Sequence, residues 1–407
     1  MKGSQGIPAL KLETLNKLIS KMPAAPTNFF SNLFPTDKYP SDTIRWEIEY
    51  GSAGMTPFVA PGSVAPAIGV DGVGEASAKA AFFKEKMYFD EEFLNNMREP
   101  GSWATYQTAE KKLSRGARKL DWRIQRRREW MYAQMLINGT LSYIQKGGTK
   151  FTVSYGIPDS HFLTLSSDRK WGTGASRNPV EDIFDAKTVL ADDAGVSIEY
   201  AVLNSDLLKI LILDEKIQAL LAKSAFGNGD LFTNPKQVIG TLLGIGNLIV
   251  YDDKYEVPGW IMQNVVAGVD DTLKLDDSSD FEVDGIARIT DMSEVNKWED
   301  IKIIAVDQEA STIQLEHPPV RSYKSGEDRV TMKKKFIDDN KFFLFSTTQE
   351  GEKIAEFMEA PYGTTRRWGK FADTKDEWDP EGMWLRVQDK GMPVCYHPDT
   401  TYTIIAR

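Results

Sequence analysis

From residue 44 to 50 the chain alternates. Ile44, Trp46, Ile48 and Tyr50 share one face and Arg45, Glu47 and Glu49 the other, the period-two pattern of a half-buried strand. A tract broken by Gly51, Gly54, Pro57, Pro61, Gly62, Pro66, Gly69, Gly72 and Gly74 follows, and then a second extended run over 80–89. Together they predict a long two-stranded excursion. Two strands alone bury too little surface to be stable in water, so such a segment needs a neighbouring molecule to lie on. A surface loop of a monomer would leave the same pattern, and both readings stay open. The residues available for contact are Phe29, Phe30 and Phe34 in the stretch before it, then Trp46, Ile48, Tyr50, Phe58, Phe82 and Phe83. Residues 1–43 carry Pro23, Pro26, Pro35 and Pro40 and read as an arm holding at most a short helix over 10–22.

Helical periodicity is clearest over 103–138. Leu113, Ala117, Leu120, Ile124, Met131 and Met135 recur at three and four residues, and Asn138-Gly139 supplies a left-handed stop. At 1.5 Å per residue this helix is on the order of 50 Å long. Its polar face is basic: Arg115, Lys119 and Arg126 stand among six further Lys and Arg residues, with Asp121 the one acid between 111 and 128. Such a face is either solvated and salt-bridged, or turned toward packed DNA or a partner protein.

Further on, 141–145 and 149–155 predict a hairpin turned at Lys146-Gly147-Gly148. Asn178-Pro179 opens a helix to about 191, with Glu181 and Asp182 at its positive end. A strand over 198–203, a helix over 205–223 and a buried strand over 247–251 follow. From 259 to 337 the helical spacing gives way to short strands at 281–283, 286–290, 301–305, 312–315 and 330–333, the pattern of a small all-β module set into another domain. Strands at 342–345, 383–387 and 402–405 close the chain.

Composition narrows the function. The 407 residues carry 59 acidic against 49 basic side chains, a formal charge of −10, which argues against a free nucleic-acid binder. A container for DNA gains from such a charge, because it avoids sticking to its contents. One cysteine, Cys395, allows no internal disulfide. The run 238–250 is too short to span a bilayer, and the reading is a soluble protein made in the cytoplasm, without membrane contact. His161, His317 and His397 lie far apart, so no zinc site is expected. Gly240, Gly244 and Gly246 precede a strand and lack the lysine of a phosphate loop. The acidic run from Asp270 to Asp284 misses calcium-loop spacing and reads as solvated turns. No catalytic, cofactor-binding or metal residue is predicted, and the expectation is a non-enzyme.

The order of these parts resembles the tailed-bacteriophage major capsid proteins, in particular the lambda-type major head protein (major capsid protein E) family. Phe29-Phe30-Ser31-Asn32-Leu33-Phe34 with the strand over 43–49 is similar to that family's passage into its extended loop. Val59-Ala60-Pro61-Gly62 and Phe82-Phe83-Lys84 look like the loop's two arms. Met135 to Gly139 followed by 151–156, Trp171 with 178–183, Phe343 to Thr348, and the closing 399–406 resemble its helix-to-hairpin passage, second helix and late strands.

The resemblance implies an α+β chain of the Hong Kong 97-type phage capsid fold, plus an inserted small all-β domain. The implied division is an N-terminal arm over 1–43 and an extended β-hairpin loop over 44–89. A peripheral domain takes 90–195 and 366–407 with spine helix 103–138, an axial domain 196–258 and 338–365, and the inserted β domain 259–337. It implies a major head protein that self-assembles as hexamers and pentamers into the icosahedral shell around double-stranded DNA. The alternative is an encapsulin-like bacterial nanocompartment of the same fold. Implied partners are other copies of itself, a separate scaffolding protein (only about forty residues precede the loop), a portal, a decoration protein, and packaged DNA contacted non-specifically. The implied location is the virion, after assembly in the host bacterial cytoplasm. Some relatives link subunits through lysine–asparagine isopeptide bonds; Lys79, Lys84 and Lys86 lie in the second arm, without an identified acceptor.

Overall fold

The computed structural model describes residues 16–17, 28–50, 74–90, 103–144, 150–224, 231, 233–293, 297–379 and 381–407, with side chains except at 103–113, 144 and 150. Its longest strand, Gly382–Cys395, organises the first sheet. One edge pairs with Ala81–Asp90 over ten residues, from Gly391 opposite Ala81 to Gly382 opposite Asp90. The other edge pairs first with Phe371–Glu377 and then with Ala355–Glu359, and Thr36–Lys38 adds to the latter in parallel. A side chain at Gly391 would sit 2.5 Å from the Met358 carbonyl, so this crowded junction requires glycine.

The predicted long helix is present as Trp103–Asn138 and packs across that strand. Ala117, Leu120, Ile124, Met131 and Met135 are buried, as their spacing requires. It stops where expected. Gly139 has φ +66°, its amide donates to the Met135 carbonyl at 3.0 Å, and a Cβ there would press on Ile157 and Phe162.

A second sheet runs in the order Phe162–Thr164, Thr401–Ile405, Lys341–Phe345, Tyr200–Leu203, Asn247–Val250. Helices Pro179–Ala194, Ser205–Leu213, Glu215–Leu221 and Pro235–Leu242 pack on it around Ile183, Leu207, Leu211, Ile239 and Phe342. The single helix predicted over 205–223 is two. Asp214 interrupts it, its side chain accepting the Lys216 amide at 2.9 Å and so capping the second helix. The division between domains also differs from expectation. Strands 162–164 and 401–405, assigned to the peripheral domain, are hydrogen-bonded into this sheet, whereas 355–359, assigned to the axial domain, belongs to the spine-helix sheet.

A third sheet has six strands in the order Lys254–Trp260, Arg329–Lys335, Ile286–Thr290, Trp298–Asp307, Thr312–Leu315, Thr272–Lys274. It owns a separate core of Val257, Leu273, Ile289, Ile301, Ile313, Val330 and Met332. Its first and last strands in the chain are antiparallel neighbours, Lys254 facing Lys335, so the chain leaves and returns at one place. The sheet starts at 254, five residues before the predicted boundary. Residues 281–283 form no strand. The Phe281 amide bonds the Ser278 carbonyl and Asp284 has φ +67°, which makes this a turn holding Phe281 in the core.

Candidate assembly surfaces

Residues 28–34, read from sequence as part of the N-terminal arm, are fixed to the spine helix by one carboxylate. Glu129 is fully buried. Its Oε1 accepts the amides of Phe29 and Phe30 at 2.8 Å each and the Tyr251 hydroxyl at 3.0 Å. Its Oε2 accepts the Ser31 amide at 2.8 Å and the Ser31 hydroxyl. The short helix Phe30–Leu33 therefore presents its unpaired N-terminal amides to a negative charge, the arrangement that helix ends favour. The Tyr251 hydroxyl is pushed well above its ordinary value, by burial first and by the Glu129 charge second.

This anchoring corrects part of the contact assignment. Phe30 and Phe34 lie in the chain's own core, Phe30 against Tyr251 and Phe34 stacked on Tyr132. Trp46 and Ile48 are also buried there, the Trp46 ring 5.9 Å from Tyr155. These four residues are buried within their own subunit, none keeping more than 8% of its surface. Phe29 and Phe83 are half-buried, and Phe58 lies outside the described residues. Tyr50 and Phe82 keep 46% and 40% of their surface exposed. Tyr50 donates to the Gly156 carbonyl at 3.0 Å, and Phe82 leans on Tyr362.

The excursion over 44–89 is likewise rooted in its own subunit. Thr43–Ile48 pairs with Gly74–Lys79, Thr43 facing Lys79 and Ile48 facing Gly74. Its second arm then joins the spine-helix sheet as Ala81–Asp90. The alternation that suggested a free hairpin is real, and the apolar face is covered by the chain's own residues.

The spine helix sorts its cations into two groups. Arg128 reaches Asp389 at 2.6 Å and Glu359 at 2.7 Å, with its guanidinium over the Phe357 ring. Burial alone would lower its pKa, and the two carboxylates hold it above the ordinary value instead. Arg123 pairs with Glu85 and lies 3.9 Å from Glu256. These pairs tie the helix to the sheets on either side of it. Arg115, Lys119 and Arg126 form the other group: all are exposed, and none has an ion-pair partner among the described residues. Asp121, the acid expected to offset them, is buried and bonded to Lys370 at 2.7 Å.

Residues 11–277 match the family model described as phage major capsid protein E, about two thirds of the chain. The chain belongs to that family. It is a tailed-phage major capsid protein, a subunit of the virion shell, and the family match favours that reading over the encapsulin alternative. No curated protein matches it. Among solved structures it is similar to a prophage protein of Escherichia coli CFT073 assigned as its capsid protein, at 14% identity and TM-score 0.54, covering 98% of this chain and 99% of that one. A phage-related protein of Bordetella bronchiseptica RB50 gives 10% identity and TM-score 0.49 over 96% of both chains. The fold is the Hong Kong 97-type capsid fold.

Three features weighed for chemistry in this capsid protein, His161, Cys395 and the glycine-rich turn that Lys187 meets, have structural occupations. His161 bonds the Thr401 carbonyl at 2.8 Å and Asp193 at 3.0 Å, linking the strand Thr401–Ile405 to the helix Pro179–Ala194. Cys395 is buried at the end of the longest strand, and burial pushes its thiol up to about 12. Lys187 donates to the carbonyls of Leu243 and Gly244, so the glycine-rich turn presents oxygens where a phosphate cradle would present amides. Among the described residues no cluster of His, Cys, Asp and Glu is placed to hold a metal, and no helix is long and apolar enough to cross a membrane.

Proposed function

We propose that the subunit does its work entirely through contacts, with no catalytic step, and that the sheet carrying the spine helix is the rigid plate of the shell wall. Residues 51–73, which lie outside the described residues, are bracketed by Ile48 and Gly74, which face each other across a separate two-stranded ladder. In this reading they reach a neighbouring copy, with Tyr50 and Phe82 beside them. The sheet around Lys341–Phe345 is the axial part. The six-stranded module stands off the outer surface, joined only through the adjacent strands Lys254–Trp260 and Arg329–Lys335. Arg115, Lys119 and Arg126 face acidic groups of another protein copy, and packaged DNA touches the wall without sequence preference. A separately encoded scaffolding protein, a portal and a decoration protein complete the assembly in the host bacterial cytoplasm.

The observation that carries this reading is the two-sided rooting of the excursion: a ladder at its base and ten paired residues in its second arm. Ends held so firmly fix where the intervening segment can reach, and many weak repeated contacts then close a durable shell. The test replaces 52–72 with a short Gly-Ser turn and leaves Gly74–Lys79 in place. The expected product is a folded subunit, by circular dichroism and melting temperature, that forms no closed shells in electron micrographs. Normal shells from that variant would overturn the reading.

A further inference from the structure

A cleft of about 290 Å³ opens between the spine helix, strand Ala81–Asp90 and the first strand of the six-stranded module. That size lies at the small end of ligand pockets, roughly 300 Å³, and suits a single large side chain. Its walls carry Arg126 and Arg127 from the helix, Arg329 and Trp260 from the module, and Lys84 from the strand. The carboxylates in its lining, Glu85 and Glu256, are both engaged by Arg123. Arg329 faces Trp260 across the ladder, and its Nε is buried without a hydrogen-bond acceptor. A buried donor left unsatisfied costs about 1–3 kcal/mol, so an acceptor supplied from outside would be favoured. Burial first and the nearby Arg123 next also push the Arg329 guanidinium below its ordinary value, as an anion in the cleft would reverse.

The same chain displays the complement. Strands Phe371–Glu377 and Gly382–Cys395 form a hairpin, and Trp378 at its end is 92% exposed. The acids Asp376, Glu377, Asp379 and Glu381 surround it in sequence, a formal −4 within six residues. A tryptophan so exposed on an acidic tip is the kind of anchor that interfaces bury, and Trp and Arg dominate binding energy at such centres. The tip cannot fold back into its own cleft. Lys84 pairs with Gln388 and Asp90 with Gly382, so the ladder places the tip some six residues, roughly 20 Å at about 3.3 Å each, from the cleft wall.

We propose that the Trp378 tip of one copy inserts into the arginine-lined cleft of another, its carboxylates meeting Arg126, Arg127 and Arg329. This deepens the assembly reading above by naming the acidic partner of the basic face, and it rests on that reading. The experiment exchanges the charges. One variant carries Arg126→Glu with Arg127→Glu, a second Glu377→Lys with Asp379→Lys, a third all four substitutions, and a fourth Trp378→Ser alone. Arg126, Arg127, Trp378 and Asp379 are exposed, whereas Glu377 is half-buried and accepts the Trp384 indole N–H at 3.2 Å, so circular dichroism checks that each variant folds. Velocity sedimentation should show at least a tenfold loss of closed shells for the two charge variants and for Trp378→Ser. The fourfold variant should recover shells, because the contact is restored with its signs reversed. Normal shells from both tip variants would overturn the proposal and leave the shell reading standing. So would a cleft variant that assembles normally and loses only encapsidated DNA, which would assign the cleft to nucleic acid. Absence of shells from the unaltered protein would instead reject the shell reading itself.

Discussion

The buried carboxylate of Glu129 offers the sharpest test of how the leading segment is held. Replacing it by Gln preserves the volume and turns one acceptor oxygen into a donor. Whichever way the amide is turned, its nitrogen meets at least two donors, either the Phe29 and Phe30 amides with the Tyr251 hydroxyl or the two groups of Ser31. Hydrogen bonds to a charged group contribute about 1.5–3 kcal/mol each, and a buried donor left unpaired costs about 1–3 kcal/mol. Two lost bonds with partial relaxation give an expected loss of about 3 kcal/mol, chiefly from the anchorage of 28–34. Hydrogen exchange on the intact subunit reads this locally. If the segment opens independently of the rest, protection at the amides of 29–31 should fall by about two orders of magnitude, since about 1.4 kcal/mol is a factor of ten. The amides of Gly382–Cys395, a strand that pairs with three others along its two edges, should hold their protection. Protection at 29–31 within threefold of the unaltered protein would refute the claim that Glu129 anchors this segment.

Other consequences follow from single groups. Changing Arg115, Lys119 and Arg126 together to Gln should lower the yield or melting temperature of empty shells, because a protein partner acts at short range; unchanged empty shells, with only DNA retention altered over a screening length of about 8 Å, would contradict it. Gly139→Ala should destabilise the subunit by about 1–2 kcal/mol, since φ +66° disfavours a side chain and the new Cβ presses on Ile157 and Phe162; an unchanged denaturation midpoint would show that the helix stop does not need glycine. Cys395 should resist maleimide at pH 8 until the chain unfolds. Its thiol rises from 9.0 unfolded to about 12 folded, so its contribution is fully present below pH 9 and is lost toward pH 12, at about 1.4 kcal/mol per pH unit. Labelling of the native subunit at the rate of a free thiol would contradict the burial.

The sequence was most readable where structure is local. The stop at Asn138-Gly139 needs only a residue tolerant of positive φ, and the buried positions of the spine helix needed only their spacing. Strand 43–48 was visible because one face is buried and the other wet, in strict alternation. What covers that face was not visible, since Tyr155 and the strand Gly382–Cys395 come from far along the chain. Phe30 and Phe34 looked like contacts for a neighbour for the same reason: the carboxylate that holds their segment lies about a hundred residues away, on a helix whose polar positions are mostly cationic. Strands 355–359 and 371–377 were missed. The first has half-buried Glu and Met side chains that blur its period, and the second is mostly polar and owes its existence to pairing with a strand buried on both faces. The cleft between helix and module needed three segments to be placed together, and among its cations Arg126 and Lys84 had been singled out, each for a different reason.

Whether this chain builds a closed shell can be seen in electron cryo-microscopy of the purified protein. The expectation is closed icosahedral particles, with the spine-helix sheet of each subunit forming the wall and residues 51–73 reaching an adjacent copy. A protein that stays a single chain or a small fixed oligomer, at concentrations and salt conditions where its fold is intact, would contradict it.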